Sequence, residues 1–100
     1  MKKALEIDPD SAPAQNFLGY LYADLNRDLN EAEILLDRAL AKEPDNYAYL
    51  DSKAWLFYRK GQYREAYEFI QRAIEIKADD PDILERLEQI KKKLPLGKEK

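Results

Sequence analysis

The stretch "AWLFYRKGQYREA", residues 54–66, sets Trp55, Phe57, Tyr58 and Tyr63 around a single Lys-Gly break. Helical apolar spacing on both sides of a glycine describes a helical hairpin, with Gly61 free to take the left-handed conformation that ends the helix before it. Its aromatics are then either glue between two helices or part of a surface that grips something else. Which of the two holds depends on whether the stretch is unique or one unit of a repeat.

It is one unit of a repeat. "ALEIDPDSAP" from Ala4, "ALAKEPDNYA" from Ala39 and "AIEIKADDPD" from Ala73 align at offsets of 35 and 34 residues. Between them Leu18-Gly19 and Tyr22 fall over Lys53-Ala54 and Phe57, and Asn26 falls over Gly61. Beyond that turn Leu29 matches Tyr63 and Ala32 matches Ala66, which leaves one extra residue in Asn26-Arg27-Asp28. A period of this length carrying two helical patterns predicts an array of helical hairpins. The expected helices cover residues 12–25, 29–42, 47–60, 63–77 and 81–93. Pro13 and Pro81 fit first-turn positions, where a missing N–H costs nothing. Asp28 followed by Glu31 has the spacing of a capping box. Gly19, Ala32, Ala54 and Ala66 stand where helices must approach closely, and larger side chains there would overpack the crossing by about 1–3 kcal/mol.

Composition agrees with this architecture. The 100 residues include 37% charged side chains but only three glycines and five prolines, so elements should be long and loops short. A chain of this length is one domain's worth and buries roughly 60–65% of its unfolded surface. It has no run of apolar residues long enough to span a membrane, and Asp8-Pro9-Asp10 soon after the start does not fit a signal peptide. Residues 91–100 carry five Lys and one Glu, +4, so the other ninety carry −7 to reach the net −3. An acidic body argues against a phosphate-binding surface and hence against nucleic acid as partner.

On these residues the chain resembles the tetratricopeptide repeat family. The first full repeat supplies Gly19, Tyr22, Asn26, Ala32, Ala39 and Pro44 in the family's pattern, and the second supplies Ala54, Phe57, Gly61, Ala66 and Ala73, with Ala78 in place of proline. The resemblance implies an all-α fold of antiparallel hairpins stacked as a superhelix. It divides a single domain, residues 1–94, into the end of a preceding repeat (1–11), two repeats (12–46 and 47–80) and a capping helix (81–94), with a flexible tail at 95–100. The form "DSKAWLFYRKGQYREA" is similar to one common near the end of arrays in bacterial members, and the short leading segment suggests a fragment of a longer array. The compartment stays open: cytoplasmic, or periplasmic if the parent is exported.

The aromatics then divide. Phe57, Tyr63, Phe69 and Ile70 face the neighbouring helix and belong to the core, as do Leu18 and Tyr22 one repeat earlier. Trp55 and Tyr58 lie on the other side of their helix beside Asp51 and Arg59; the matching stripe one repeat earlier is Asn16, Tyr20, Ala23 and Asp24, and one repeat later Asp82, Glu85 and Gln89. In the family these positions line a concave groove that holds a partner. The resemblance therefore implies a scaffold that binds a peptide or helical segment through Asn16, Tyr20, Asp24, Asp51, Trp55, Tyr58 and Arg59. The alternative is that Trp55 only covers the junction between hairpins. Where the family's carboxylate clamp needs Lys and Asn, this chain has Pro13, Asn16, Tyr20, Ala48, Asp51 and Ser52, which disfavours a chaperone tail as ligand. Aromatics beside carboxylates suit an apolar or aromatic segment with a positive charge.

Without His or Cys the chain lacks the commonest base, nucleophile and metal ligands. Its carboxylates are placed at caps and on solvent faces, so no enzyme activity, cofactor or metal is expected. Two further expectations concern single features. Lys53, where a large aliphatic is usual in the family, should cover the helix crossing with its methylenes while its ammonium reaches water. Phe17, Leu21 and Leu25 should be poorly covered on the flank of the first hairpin, favouring a weak homodimer or a self-assembly role.

Overall fold

A computed structural model describes residues 11–94. Its helices are α1 (Ala12–Leu25), α2 (Leu29–Lys42), α3 (Tyr47–Arg59), α4 (Tyr63–Ile76) and α5 (Pro81–Lys93), with no strand among the described residues. The expected end of a preceding repeat, with Ala4 and Pro9, and the expected tail at 95–100 lie outside the described residues.

The helices start in two ways. Those that open a repeat carry a side-chain cap: Ser11 Oγ accepts from Ala14 N–H, Asn46 Oδ1 from Ala48 and Tyr49 N–H, and Asp80 Oδ1 from Asp82 and Ile83 N–H. Pro13 and Pro81 occupy first-turn positions, as their missing amides predict. The returning helices α2 and α4 have no side-chain cap. The capping box expected at Asp28 and Glu31 is therefore absent. Asp28 sits in the left-handed region at φ 51°, whereas a capping side chain reaches the next amides from extended backbone. Its carboxylate instead lies 3.5 Å from Arg27 Nε.

Both hairpin turns close α1 and α3 with the same paired backbone bonds. Arg27 N–H donates to Tyr22 O and Asn26 N–H to Ala23 O; Gln62 N–H donates to Phe57 O and Gly61 N–H to Tyr58 O. This is a Schellman arrangement, with Asn26 (φ 56°) and Gly61 (φ 82°) as its left-handed residues.

α1 and α2 form one antiparallel hairpin, α3 and α4 the next, and α5 packs on α4 and on α3. α3 also contacts both helices of the first hairpin. Toward α4 and α5 it buries Leu50, Ala54 and Phe57 among Ala66, Ile70, Ala73, Ile83 and Ile90. Toward the first hairpin Leu56 enters a seat of Ala23, Ala32 and Leu36, and Tyr49 packs on Ala12 and Ala39. Small residues set these approaches: a methyl group built on Gly19 would lie 2.7 Å from Leu36 Cγ. Phe69 stacks on Phe57 at the edge of the core, and Leu18, Tyr22 and Tyr63 are half-buried. Ala23 differs from its place in the expected groove stripe. It is fully buried under Leu56, because α1 turns that residue toward α2 and α3.

Lys53 also differs from expectation. It is 6% exposed, and its ammonium does not reach water but pairs with Asp37 of α2. Its Nζ sits 5.1 Å from the Phe57 ring centre and 4.9 Å from that of Phe69. A cation over two aromatic faces with a carboxylate beside it is held by geometry that an aliphatic residue cannot supply.

The Lys53 contacts and the Gly61 turn set the cost of three substitutions. Asp37→Ala strands a buried ammonium and should cost about 1–3 kcal/mol, below the usual range for a broken buried pair because Asp37 itself is half exposed. Lys53→Met keeps the stem and frees a carboxylate that water can solvate, so it should cost less, about 1 kcal/mol; urea unfolding of both variants gives the order. Gly61→Val should cost about 1–2 kcal/mol through backbone strain, since a Cβ there meets nothing within 4 Å. Its thermal midpoint measures that strain free of any steric clash.

Candidate functional site

The helices that open each repeat, α1, α3 and α5, lie side by side, with α2 and α4 behind them. Tyr20 of α1, Asp51 and Trp55 of α3, and Asp82, Glu85, Arg86 and Gln89 of α5 line a cleft of about 530 Å³ on this inner layer. Three of the seven residues expected at a groove, Tyr20, Asp51 and Trp55, therefore meet at one place. Asp82, Glu85 and Gln89, read from the sequence only as the continuation of the stripe, join them there.

The other four expected residues surround Trp55 or lie apart. Asp24 accepts a 3.3 Å hydrogen bond from Trp55 Nε1. Arg59 donates through Nε to Ala23 O at 3.1 Å and through a terminal nitrogen to Asp24 O, which caps the last turn of α1 from the next repeat. Tyr58 stacks on Trp55 with ring centres 5.1 Å apart and meets Tyr63 edge-on, so it supports the indole from behind the cleft lining. Asn16 is half-buried one turn before Tyr20, and its Oδ1 is buried without a hydrogen-bond partner.

Arg86 was not anticipated, and it organises the cleft. Its Nε donates to Asp51 Oδ1 at 2.8 Å and a terminal nitrogen reaches Oδ2 at 3.4 Å. The guanidinium carbon lies 4.4 Å from the Trp55 ring centre and 5.7 Å from that of Tyr20. Asp51 and Arg86 are 35 residues apart, one more than the 34-residue offset between their repeats, so Arg86 falls over Ser52 and no repeat position marks the pair.

Burial pushes the Asp51 carboxyl above the ordinary aspartate range, helped by the nearby Asp80 and Asp82 charges, although Arg86 draws it down. Burial acts to lower Arg86, but Asp51 and Tyr20 more than offset it, so the guanidinium is held charged. The floor of the cleft is thus a satisfied ion pair on an aromatic bed. With Asp82 and Glu85 at its edge, the cleft carries three carboxylates against one cation.

The family model for anaphase-promoting complex, cyclosome, subunit 3 matches residues 25–90. TPR repeat-containing protein PA4667 of Pseudomonas aeruginosa is 38% identical over 68 residues, which cover 68% of this chain and 12% of that protein. The chain thus spans about an eighth of that relative's length. With five helices packed as successive hairpins, these matches show that the chain belongs to the tetratricopeptide repeat family. Members of that family are typically non-catalytic scaffolds for protein contacts. No helix among the described residues is long and apolar enough to cross a membrane.

Because its folded pKa is raised, Asp51 adds stability that is present below its unfolded value and is lost as pH rises through the folded one. The carboxyl carbon of Asp51, followed by NMR, should titrate above the ordinary range. Asp82→Asn removes one repelling charge and should lower that midpoint, whereas Arg86→Met should raise it.

Proposed function

We propose that the chain is a protein-interaction module whose inner layer takes a segment of a partner carrying an apolar or aromatic side chain next to a positive charge. The observation that carries this reading is the cleft itself. Tyr20 and Trp55 offer aromatic surface on rigid helices, and the carboxylates Asp82 and Glu85 flank them without an ion pair among the described residues. Large aromatics held by neighbouring side chains give contact area with little ordering cost, and carboxylates at the margin favour a cationic partner. Asn16 and Asp24, on either side of Tyr20 along α1, extend this surface, and Tyr58 and Arg59 keep the indole in place.

Selection of displayed random peptides against the 100-residue chain tests it. Enriched segments should combine an aromatic or aliphatic residue with Arg or Lys. Trp55→Ala should weaken their binding by about 2 kcal/mol, roughly 30-fold, while the far-ultraviolet circular dichroism stays helical. Phe57→Ala should instead cost about 3–5 kcal/mol of fold stability by opening a core cavity. Acidic enriched segments, or segments that bind Trp55→Ala as well as the unsubstituted chain, would remove the reading.

A second reading, self-assembly, rests on a different face. Phe17, Leu21 and Leu25 of α1 are 54%, 38% and 55% exposed and follow one another at four-residue spacing, forming an apolar stripe. If that stripe pairs copies of the chain, light scattering should show a mass rising with concentration, and Leu21→Glu should return it to the monomer value.

A further inference from the structure

Arg86 occupies the place that an incoming cation would take. Its side chain is 13% exposed, its fork faces both oxygens of Asp51, and its plane lies near two aromatic rings. A two-oxygen acceptor combined with an aromatic face matches the flat, delocalised guanidinium rather than the compact ammonium of lysine. We infer that the Tyr20–Asp51–Trp55 floor is a guanidinium seat, filled by Arg86 in the free chain, and that an arginine of the partner takes it over by exchange. This inference rests on the reading of the cleft as the partner-binding surface and names the side chain that surface selects.

Exchange costs little in contacts because it replaces like with like. The partner's arginine makes the same paired hydrogen bonds and ring contacts that Arg86 gives up, so the buried Asp51 carboxylate is not left alone. The displaced group also has somewhere to go. Asp82 precedes Arg86 by four residues on α5, the spacing and order at which an acid and a base pair along a helix. Asp82 is exposed, lines the same cleft and has no ion pair among the described residues. The other cation near the indole is fixed. Arg59 lies 5.5 Å from the Trp55 ring centre, but its nitrogens are committed to the carbonyls of Ala23 and Asp24. Arg59 is therefore not the occupant of the seat, and Arg86 acts as a filter: a ligand must offer a guanidinium to match what it displaces.

Trp55 is the only tryptophan, so indole fluorescence comes from the ring that forms one wall of the seat. N-acetyl-arginine amide should give a saturable Trp55 response in Arg86→Ala, with affinity at least about tenfold above that of the unsubstituted chain, where the seat is occupied. N-acetyl-lysine amide should bind the variant clearly more weakly than the arginine compound. Adding Asp51→Asn should abolish the arginine response. A helical Arg86→Ala variant that answers arginine and lysine equally, or neither, would overturn the seat. The unsubstituted chain gives a readout that does not depend on any variant folding. As the arginine compound is added, the Arg86 Nε–H resonance should move to the position of a solvated arginine. A Trp55 response with that resonance unmoved would overturn the exchange. Peptides that bind away from Trp55, in a chain whose seat passes both tests, would leave the seat standing and remove only the partner-binding reading.

Discussion

Helix α3 must be apolar on two sides, and the rest of the molecule is arranged to meet that demand. Leu50, Ala54 and Phe57 face the hairpin partner and the closing helix, while Tyr49 and Leu56 face the preceding hairpin. A helix covered from both sides keeps only a narrow strip for polar groups, and on α3 that strip carries Asp51, Trp55, Tyr58 and Arg59. The inner surface is thus what remains of α3 after its packing is satisfied. Its neighbours α1 and α5 present their own strips beside it because the repeat places them in the same orientation.

Small residues make the stacking possible. Ala23, Ala32, Ala54 and Ala66 are fully buried, and the open side of Gly19 is filled by Leu36. Dense packing there leaves little space for adjustment, so relative helix positions are set by side-chain volume. That rigidity in turn holds Tyr20, Trp55 and Arg86, which come from three separate helices, within ring-contact distance of one another.

The fold was legible because periodicity encodes it twice, as helical spacing within each element and as a 34–35-residue offset between elements. Helix limits agreed to within one residue, and the Gly61 turn took the conformation its residue type requires. Misreadings arose where side-chain chemistry depends on backbone or on distant residues. Asp28 and Glu31 have the spacing of a cap, but the extra turn residue puts Asp28 in left-handed backbone that rotates its carboxylate away. Ala23 stands in the groove stripe by sequence, yet on α1 it is rotated about 60° from Tyr20 and about 100° from Asp24, toward Leu56. Lys53 finds Asp37 across 16 residues, and no local pattern signals that pairing. Arg86 falls over Ser52 in the repeat register, off the stripe that pointed to the cleft. It reaches Asp51 because an arginine side chain is long enough to cross from one helix to the next. That Trp55 lies across its helix from Phe57 could be read from spacing, and the family resemblance implied an inner face for it and Tyr20, but the cation already lying on them had no such signal.

The contact between Arg59 and the end of α1 bears on how the chain comes apart. Arg59 of the second hairpin donates to Asp24 O and adds a second hydrogen bond to Ala23 O, which already accepts from Asn26 N–H, so it reinforces the last turn of α1 from outside the helix. Fraying that turn means detaching a side chain anchored 35 residues later. Conversely, loosening α3 removes a cap from a helix it precedes in space but follows in sequence. In a molecule where each unit touches only the next, such cross-links set the coupling between units. These bonds add to the packing of Leu56 on Ala23 in coupling the two hairpins, so local opening at their junction is opposed from both sides.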